Sequence, residues 1–357
     1  MSLQTLDLHD AKILGAVLQT TQLASEAALR TGLSRVAASR RLQRLVKAQY
    51  LHREGEGTRP SYRLGAKRFW RGQTAVADLA AQGGEFTVWE QHLAPLLQDL
   101  PVQLVNLASI GFTEMLNNAL DHAQATQVAM GLHLAQGRLQ MFVADDGVGI
   151  FRHIAQALKL FDVRLALLEL AKGKFTTAPA GHSGMGVFVS SRMLDGFAIE
   201  SGGIVFDRRV GASALAPFDW VDIRRTLVEA PATVVRMDLD LGTTRTAQAV
   251  YERYFDPDEV GGEAFHTTEI PVRLAQLSSQ LVSRSQGKWV VERAAQFRTV
   301  VLDFEGVALV GQAFADEVFR VFATAHPQVQ LRRMNVSEEV ERALVRFGAG
   351  QRSDGMV

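Results

Sequence analysis

Apolar side chains at Leu6, Ile13, Leu14, Val17 and Leu18 give residues 6–18 the spacing of a first helix. Thr20 and Thr21 stand where either can cap a short second helix, and Gly32 stands where that helix would end. Ser34 then opens a third helix, Arg35 to Ala48, with Ala38, Leu42, Leu45 and Val46 as its buried stripe. Two short strand-like runs follow, Tyr50–Arg53 and Ser61–Leu64, on either side of the Gly- and Arg-bearing loop 54–60. Residues 67–84, with Phe69, Trp70, an Ala-rich stretch and Gly83-Gly84, read as a connector that can be helical and can carry a dimer contact. Further on, Met115, Leu116, Ala119 and Leu120 supply the apolar side of a helix. A strand over Met141–Asp145 runs into a glycine turn, and an apolar helix follows Gly184 and Gly186. Residues 246–265 look like a junction. They precede a helical run from Val272 to about Phe297, a strand Thr299–Phe304, a helix Phe314–Arg320, a strand Val329–Met334 and a helix from near Ser337.

Composition narrows the chemistry. The 357 residues are too many for one ordinary domain, and 47% of them are apolar, enough to fill more than one core. There is no cysteine, which excludes disulfides and thiolate metal sites, and the nine histidines show no metal-type spacing. No apolar run approaches bilayer length and no secretory signal opens the sequence, so a cytoplasmic protein without membrane contact is expected. Net charge is zero but uneven. Between Arg30 and Arg71 twelve Lys and Arg face two acids, Glu54 and Glu56, leaving −10 for the rest. A basic segment in an otherwise acidic chain points to an anionic partner; a solvated surface is the bland alternative.

That segment has the order short helix, Gly turn, longer helix. On the third helix Arg40, Arg44 and Lys47 share a face, with Arg41 beside it and Ser34 and Arg35 at its start. Such a helix fits a major groove, with Arg59 at the tip of the following loop. Residues 6–66 resemble bacterial winged helix-turn-helix regulators, which implies a mostly α domain (1–66) that contacts DNA through these side chains. A protein-binding winged helix is the alternative. Paired half-sites would make the protein a homodimer.

Three motifs follow in the central segment. Glu114, Asn118 and His122 stand at i, i+4 and i+8 of one helix face; a plain polar stripe is the alternative. Asp145-Asp146-Gly147-Val148-Gly149 ends a strand, where a carboxylate can accept a hydrogen bond from a base and glycines let backbone pass close by. Gly184 and Gly186 open a helix, whose amide-rich N-terminus suits phosphate. The preceding stretch, with Lys172 and Lys174, lacks periodicity and suits a lid. No Gly-x-x-x-x-Gly-Lys-Ser/Thr loop occurs.

In order and spacing, about residues 85–242 resemble the GHKL ATPases of the gyrase, Hsp90, histidine-kinase and MutL type. The resemblance implies an α/β two-layer sandwich (85–245) that binds ATP and Mg²⁺. It implies Glu114 orienting the attacking nucleophile, Asn118 holding Mg²⁺ and His122 beside the nucleotide. Asp145 would read adenine with Gly147 and Gly149, and Thr233 would stand beside it. Gly184 and Gly186 would hold phosphates, and Lys172 and Lys174 are candidate phosphate contacts that can equally be solvated.

The C-terminal pattern Val300-Val301-Leu302-Asp303-Phe304, then Gly306-Val307, a turn and a helix, resembles the STAS-like domains fused to such ATPases. This implies an α/β domain over 266–350, before a tail at 351–357. In phosphorylated STAS proteins a Ser occupies the turn; here it reads Gly311-Gln312-Ala313, so a protein-docking or sensing role is expected. The whole reads as a multidomain, ATP-dependent, DNA-binding transcription regulator. The second reading is an anti-sigma-type serine/threonine protein kinase acting on a STAS protein. His92 faintly resembles a histidine-kinase acceptor, but only 22 residues separate it from Glu114, too few for a dimerising hairpin. The chain is too short for a topoisomerase or a mismatch-repair enzyme of this type.

Overall fold

The computed structural model describes residues 8–17, 22–55, 60–172, 186–209, 232–254, 269–292, 294–297 and 299–347, with Leu6 and Thr20. The chain forms two compact units. One comprises residues 1–150 and 190–247, the other 151–189 and 248–357.

The first unit opens with helices α1 (Leu8–Ala16), α2 (Leu23–Thr31) and α3 (Arg35–Lys47). Gly32 ends α2 in the left-handed region at φ 68°, and the Ser34 hydroxyl caps α3 by accepting from the Ala37 amide. Gln22, not Thr20 or Thr21, is the N-cap of α2, and the Thr20 hydroxyl accepts from the Gln22 amide instead. An antiparallel hairpin follows, β1 (Leu51–Glu54) with β2 (Ser61–Leu64), in which Leu51 faces Leu64.

Residues 67–84 are not a connector. Only positions 65–67 separate β2 from β3 (Arg68–Ala75), which pairs along its whole length with β4 (Gln127–Ala135). The crossing is tight: the Gly65 amide donates to the Tyr50 carbonyl at 2.9 Å, and a Cβ on Gly65 would lie 2.1 Å from the Gln49 carbonyl oxygen. Strands β5 (Arg138–Asp145), β6 (Gly196–Ser201), β7 (Ile204–Arg209) and β8 (Thr233–Asp240) complete a six-stranded antiparallel sheet, ordered β3-β4-β5-β8-β6-β7. Between β3 and β4 lie α4 (Val76–Ala81), α5 (Gly84–Val88), a π-helical turn Trp89–Leu93, α6 (Ala94–Leu97) and the long α7 (Val102–Asp121), which packs on β5 and β8.

Alternation splits the sheet's side chains between two faces. Met130, Leu132, Met141, Val143, Val235, Met237, Phe197 and Ile199 share one face, and all are buried. On the other, Phe69, Ala129, Phe142, Ala144 and Val234 join one continuous core with Ile13, Leu14, Leu23, Ala27, Leu42 and Leu45 of α1–α3. The expected boundary at residue 66 therefore does not coincide with a break in packing: α1–α3 are a layer of the sheet. Tyr50 and His133 add a polar tie within this layer, with the hydroxyl 2.9 Å from Nε2 and the rings stacked. Burial, helped by Lys67, pushes the His133 imidazole down to about 4, so it stays neutral. Burial, with Asp10 adding to it, pushes the Tyr50 hydroxyl up to about 12.

The second unit carries a parallel sheet, β13-β11-β9, made of β9 (Glu269–Arg273), β11 (Thr299–Asp303) and β13 (Gln330–Met334). A short parallel pair, β10 (Gln280–Leu281) with β12 (Leu309–Val310), stands beside it in the chain order. Residues 272–297 are not one helical run. Val272 and Leu274 are buried at a spacing of two, and helix Arg284–Val291 starts only at a capping box of Ser283 with Gln286. That helix meets helix Gln312–Asp316 closely, since a Cβ on Gly287 would lie 3.2 Å from the Phe314 carbonyl oxygen. The apolar helix Leu165–Lys172 packs on β9. The segment expected as a junction begins as helix Ala247–Tyr254.

Phe142 is fully buried where the sheet meets α1–α3. Phe142→Ala should lower stability by about 3–5 kcal/mol, read as a shift of the urea midpoint.

Candidate functional site

The site is built around the end of β5. Asp145 is the last residue of the strand and is only 5% exposed, on the apolar face. Its neighbour across the ladder is Thr233 on β8, and Ser201 on β6 continues the same row. The Asp145 carboxylate accepts from the Gly147 amide at 3.0 Å. Among the described residues no cation pairs with it. Burial pushes the carboxyl up to about 6; the hydrogen bonds from Gly147 and Thr233 pull the other way, and the charge on Asp146 adds to the rise.

The turn after Asp145 is stitched to the exit of α7. A Cβ on Gly147 would lie 2.0 Å from the Ala123 carbonyl oxygen, and the Val148 amide donates to that same oxygen at 2.9 Å. The Asp146 carboxylate accepts from the Thr126 amide, the Thr126 hydroxyl and the Gln127 amide at 2.6–2.9 Å. Partial burial opposes ionisation of Asp146, but these hydrogen bonds outweigh it and hold the carboxyl below its usual range. Gly149 takes φ +86°, and a Cβ there would lie 2.8 Å from the Ser201 hydroxyl. The space that these glycines spare is thus filled by the protein itself. They fix the turn's course against Ala123 and Ser201. Beyond Gly149 the Ile150 amide donates to the Thr233 hydroxyl at 3.1 Å.

The last turns of α7 carry the other expected polar residues. Glu114 is exposed, and Asn118 is half-buried with its Nδ2 4.0 Å from the Met115 sulfur. The helix ends at Asp121, and His122 follows as its C-cap, still in the right-handed region with its amide donating to the Asn118 carbonyl at 3.1 Å. Gly186 is the first residue of helix Gly186–Met193, and Lys172 the last of Leu165–Lys172. Lys174 and Gly184 lie outside the described residues, as does most of the expected lid. Among the described residues no group of three or more His, Asp or Glu could hold a metal ion. A buried carboxylate at a strand end, with a threonine across the ladder, can accept a hydrogen bond from an amino group and discriminates against a group with no proton to offer.

The basic helix α3 divides its cations. Arg35, Arg40 and Lys47 are exposed, and Ser34 is the cap. Arg41 and Arg44 instead both bond Asp10 of α1, which is 0% exposed; Arg41 Nη1 lies 3.0 Å from it. Arg59 lies outside the described residues. Asp10 lies outside the basic pattern that marks α3, yet it sits at i, i+3, i+4 and i+7 with Ile13, Leu14 and Val17. An acid inside an apolar stripe was the available signal. Tyr50–His133 left none, because the two residues are 83 positions apart.

Residues 286–341 match the family described as a STAS-like domain of unknown function (DUF4325), so the C-terminal unit carries a STAS-like domain. Among curated proteins none matches the chain. No helix among the described residues is long and apolar enough to cross a membrane.

The folded carboxyl of Asp145 titrates near 6, above the ordinary carboxylate value near 4, so the folded state holds a proton that the unfolded state releases. Stability is therefore full below about pH 4 and falls as pH rises through 6, by about 3 kcal/mol from this group. Asp145→Asn should melt higher than the parent at pH 8 and lose that advantage at pH 4, as followed by thermal unfolding across the range.

Proposed function

We propose that the chain is an ATP-binding, DNA-binding transcription regulator in which nucleotide state controls DNA binding. The observation that carries this reading is Asp145, a buried carboxylate without a cationic partner among the described residues, placed at a glycine turn beside Thr233. Keeping such a group costs stability, and that cost makes a ligand-reading role the better account. Adenine offers an amino group that this carboxylate can accept from. In this reading the segment 85–245 is a GHKL-type domain. Asn118 would hold Mg²⁺ and Glu114 would orient the nucleophile. The donor set fits a nucleotide-borne Mg²⁺ better than a resident metal, since the protein supplies one amide oxygen and no acidic cluster among the described residues.

The segment 1–66 would be a winged helix-turn-helix, with Arg35, Arg40 and Lys47 meeting DNA and Arg59 at the wing. Arg41 and Arg44 serve first to hold α3 against Asp10. A homodimer reading paired half-sites fits this role. The STAS-like domain favours a second reading, an anti-sigma-type protein kinase. Gln312 and Ala313 offer no hydroxyl in cis, so the substrate would be a separate STAS protein, and transfer of label from γ-labelled ATP to such a protein would distinguish the two.

Calorimetric titration with ATP and Mg²⁺ should give saturable binding that Asp145→Asn weakens at least tenfold; equal heats in both would sink the nucleotide reading. DNA duplexes selected by the protein from random sequence should bind with different affinity with and without ATP and Mg²⁺. Unchanged affinity refutes nucleotide control. Arg40→Gln should lower the slope of log affinity against log salt by about one.

A further inference from the structure

A helix-turn-helix segment joined by a flexible linker moves independently of the domain it is joined to. Here the segment has no tether. Positions 65–67 are all that separate β2 from β3, and both ends of that bridge are bonded, Gly65 to Tyr50 and Lys67 to Gln49, each amide–carbonyl distance being 2.9 Å. Beyond the bridge, α1–α3 and the sheet share one apolar core that runs from Ile13, Leu23 and Leu42 to Phe69, Ala129, Phe142, Ala144 and Val234. The Tyr50–His133 bond ties the turn after α3 to the second half of β4.

Strand β5 is common to both sides. Asp145 ends it on the α7 face, while Ala144 and Phe142, one and three positions earlier, face α1–α3. Val234 does the same on β8, one position from Thr233. A displacement of the strand ends around Asp145 and Thr233 must therefore move side chains that α1–α3 rest on, because a close-packed core does not absorb it.

We propose that α1–α3 and the six-stranded sheet form one cooperative unit, and that occupancy of the Asp145 turn reaches the basic helix α3 through the shared β5–β8 core and the Tyr50–His133 bond, without a hinge. The first half stands on packing alone; the second rests on the nucleotide reading above.

The test is amide hydrogen exchange on the full chain. In rising, sub-denaturing urea the slowest amides of α2 and α3 should merge with those of β4 and β5 on one isotherm. Val143→Ala, on the face away from α1–α3, should speed both sets by the same factor. A separate α2–α3 isotherm, or α2–α3 rates that Val143→Ala leaves unchanged while β4 and β5 speed up, overturns the cooperative unit. If that variant does not fold, the urea series on the parent protein decides. Adding ATP and Mg²⁺ should slow β5 and α3 together, and Tyr50→Phe should reduce the slowing in α3 while leaving that in β5. Slowing confined to β5 overturns the transmission. No slowing anywhere refutes the nucleotide reading and the transmission with it, while the urea isotherms still decide whether the layer is one unit.

Discussion

A β-sheet with two apolar faces must cover both, and the first unit depends on how it meets that requirement. Helix α7 and its preceding turns cover one side of the six-stranded sheet; the N-terminal helices cover the other. Burial near 25 cal/mol per Å² of apolar surface favours this arrangement over a solvated sheet with a free N-terminal module. Where the second face is not covered by α1–α3, charges pair among themselves: Asp238, buried, takes Arg138 at 2.8 Å, and Glu200 takes Arg236 at 3.2 Å.

Asp145 is the exception, with no such charge partner among the described residues. It lies on the face that α7 covers, in a row with Thr233 and Ser201, at the end where the ladder gives way to a turn. The turn is over-determined by its neighbours. Ala123, Thr126 and Gln127 hold it from one side, Ser201 and Thr233 from the other. A carboxylate that is costly to bury is thus held in one place, which is what recognition of a fixed partner group requires. Asp10 shows the contrasting case. It too is buried, but two arginines satisfy it, and its role is to fix α3 against α1.

Local signals made much of this legible in the sequence. Gly32, Ser34 and Ser337 act where their chemistry says they should, as helix punctuation. The strand into Asp145 and the helix before it follow from apolar periodicity. What escaped is non-local. Strand β3 carries Arg71, Gln73 and Thr74 among Phe69 and Trp70, a mixed pattern that makes sense only once β4 lies alongside. Strand β9 contains Pro271, which argues against a strand until its parallel partner is known. The glycine turn is plain in the sequence, but what fills the space beside Gly147 is a carbonyl 24 positions earlier, which no spacing rule reveals. The π-helical turn at Glu317–Phe322 replaces part of what reads as an ordinary helix.

The second unit is assembled from two stretches of chain with β6, β7 and β8 of the larger sheet between them in sequence. Helix Leu165–Lys172, with Leu165, Leu167, Leu168 and Leu170 buried, rests on β9, whose residues 269–273 lie about a hundred positions further on. During synthesis at roughly 5–20 residues per second, that helix leaves the ribosome many seconds before the strand it covers exists. For that interval its leucines lack the strand that they rest on in the finished fold. The birth of this protein on the ribosome, more than its finished stability, is where a folding assistant would matter most.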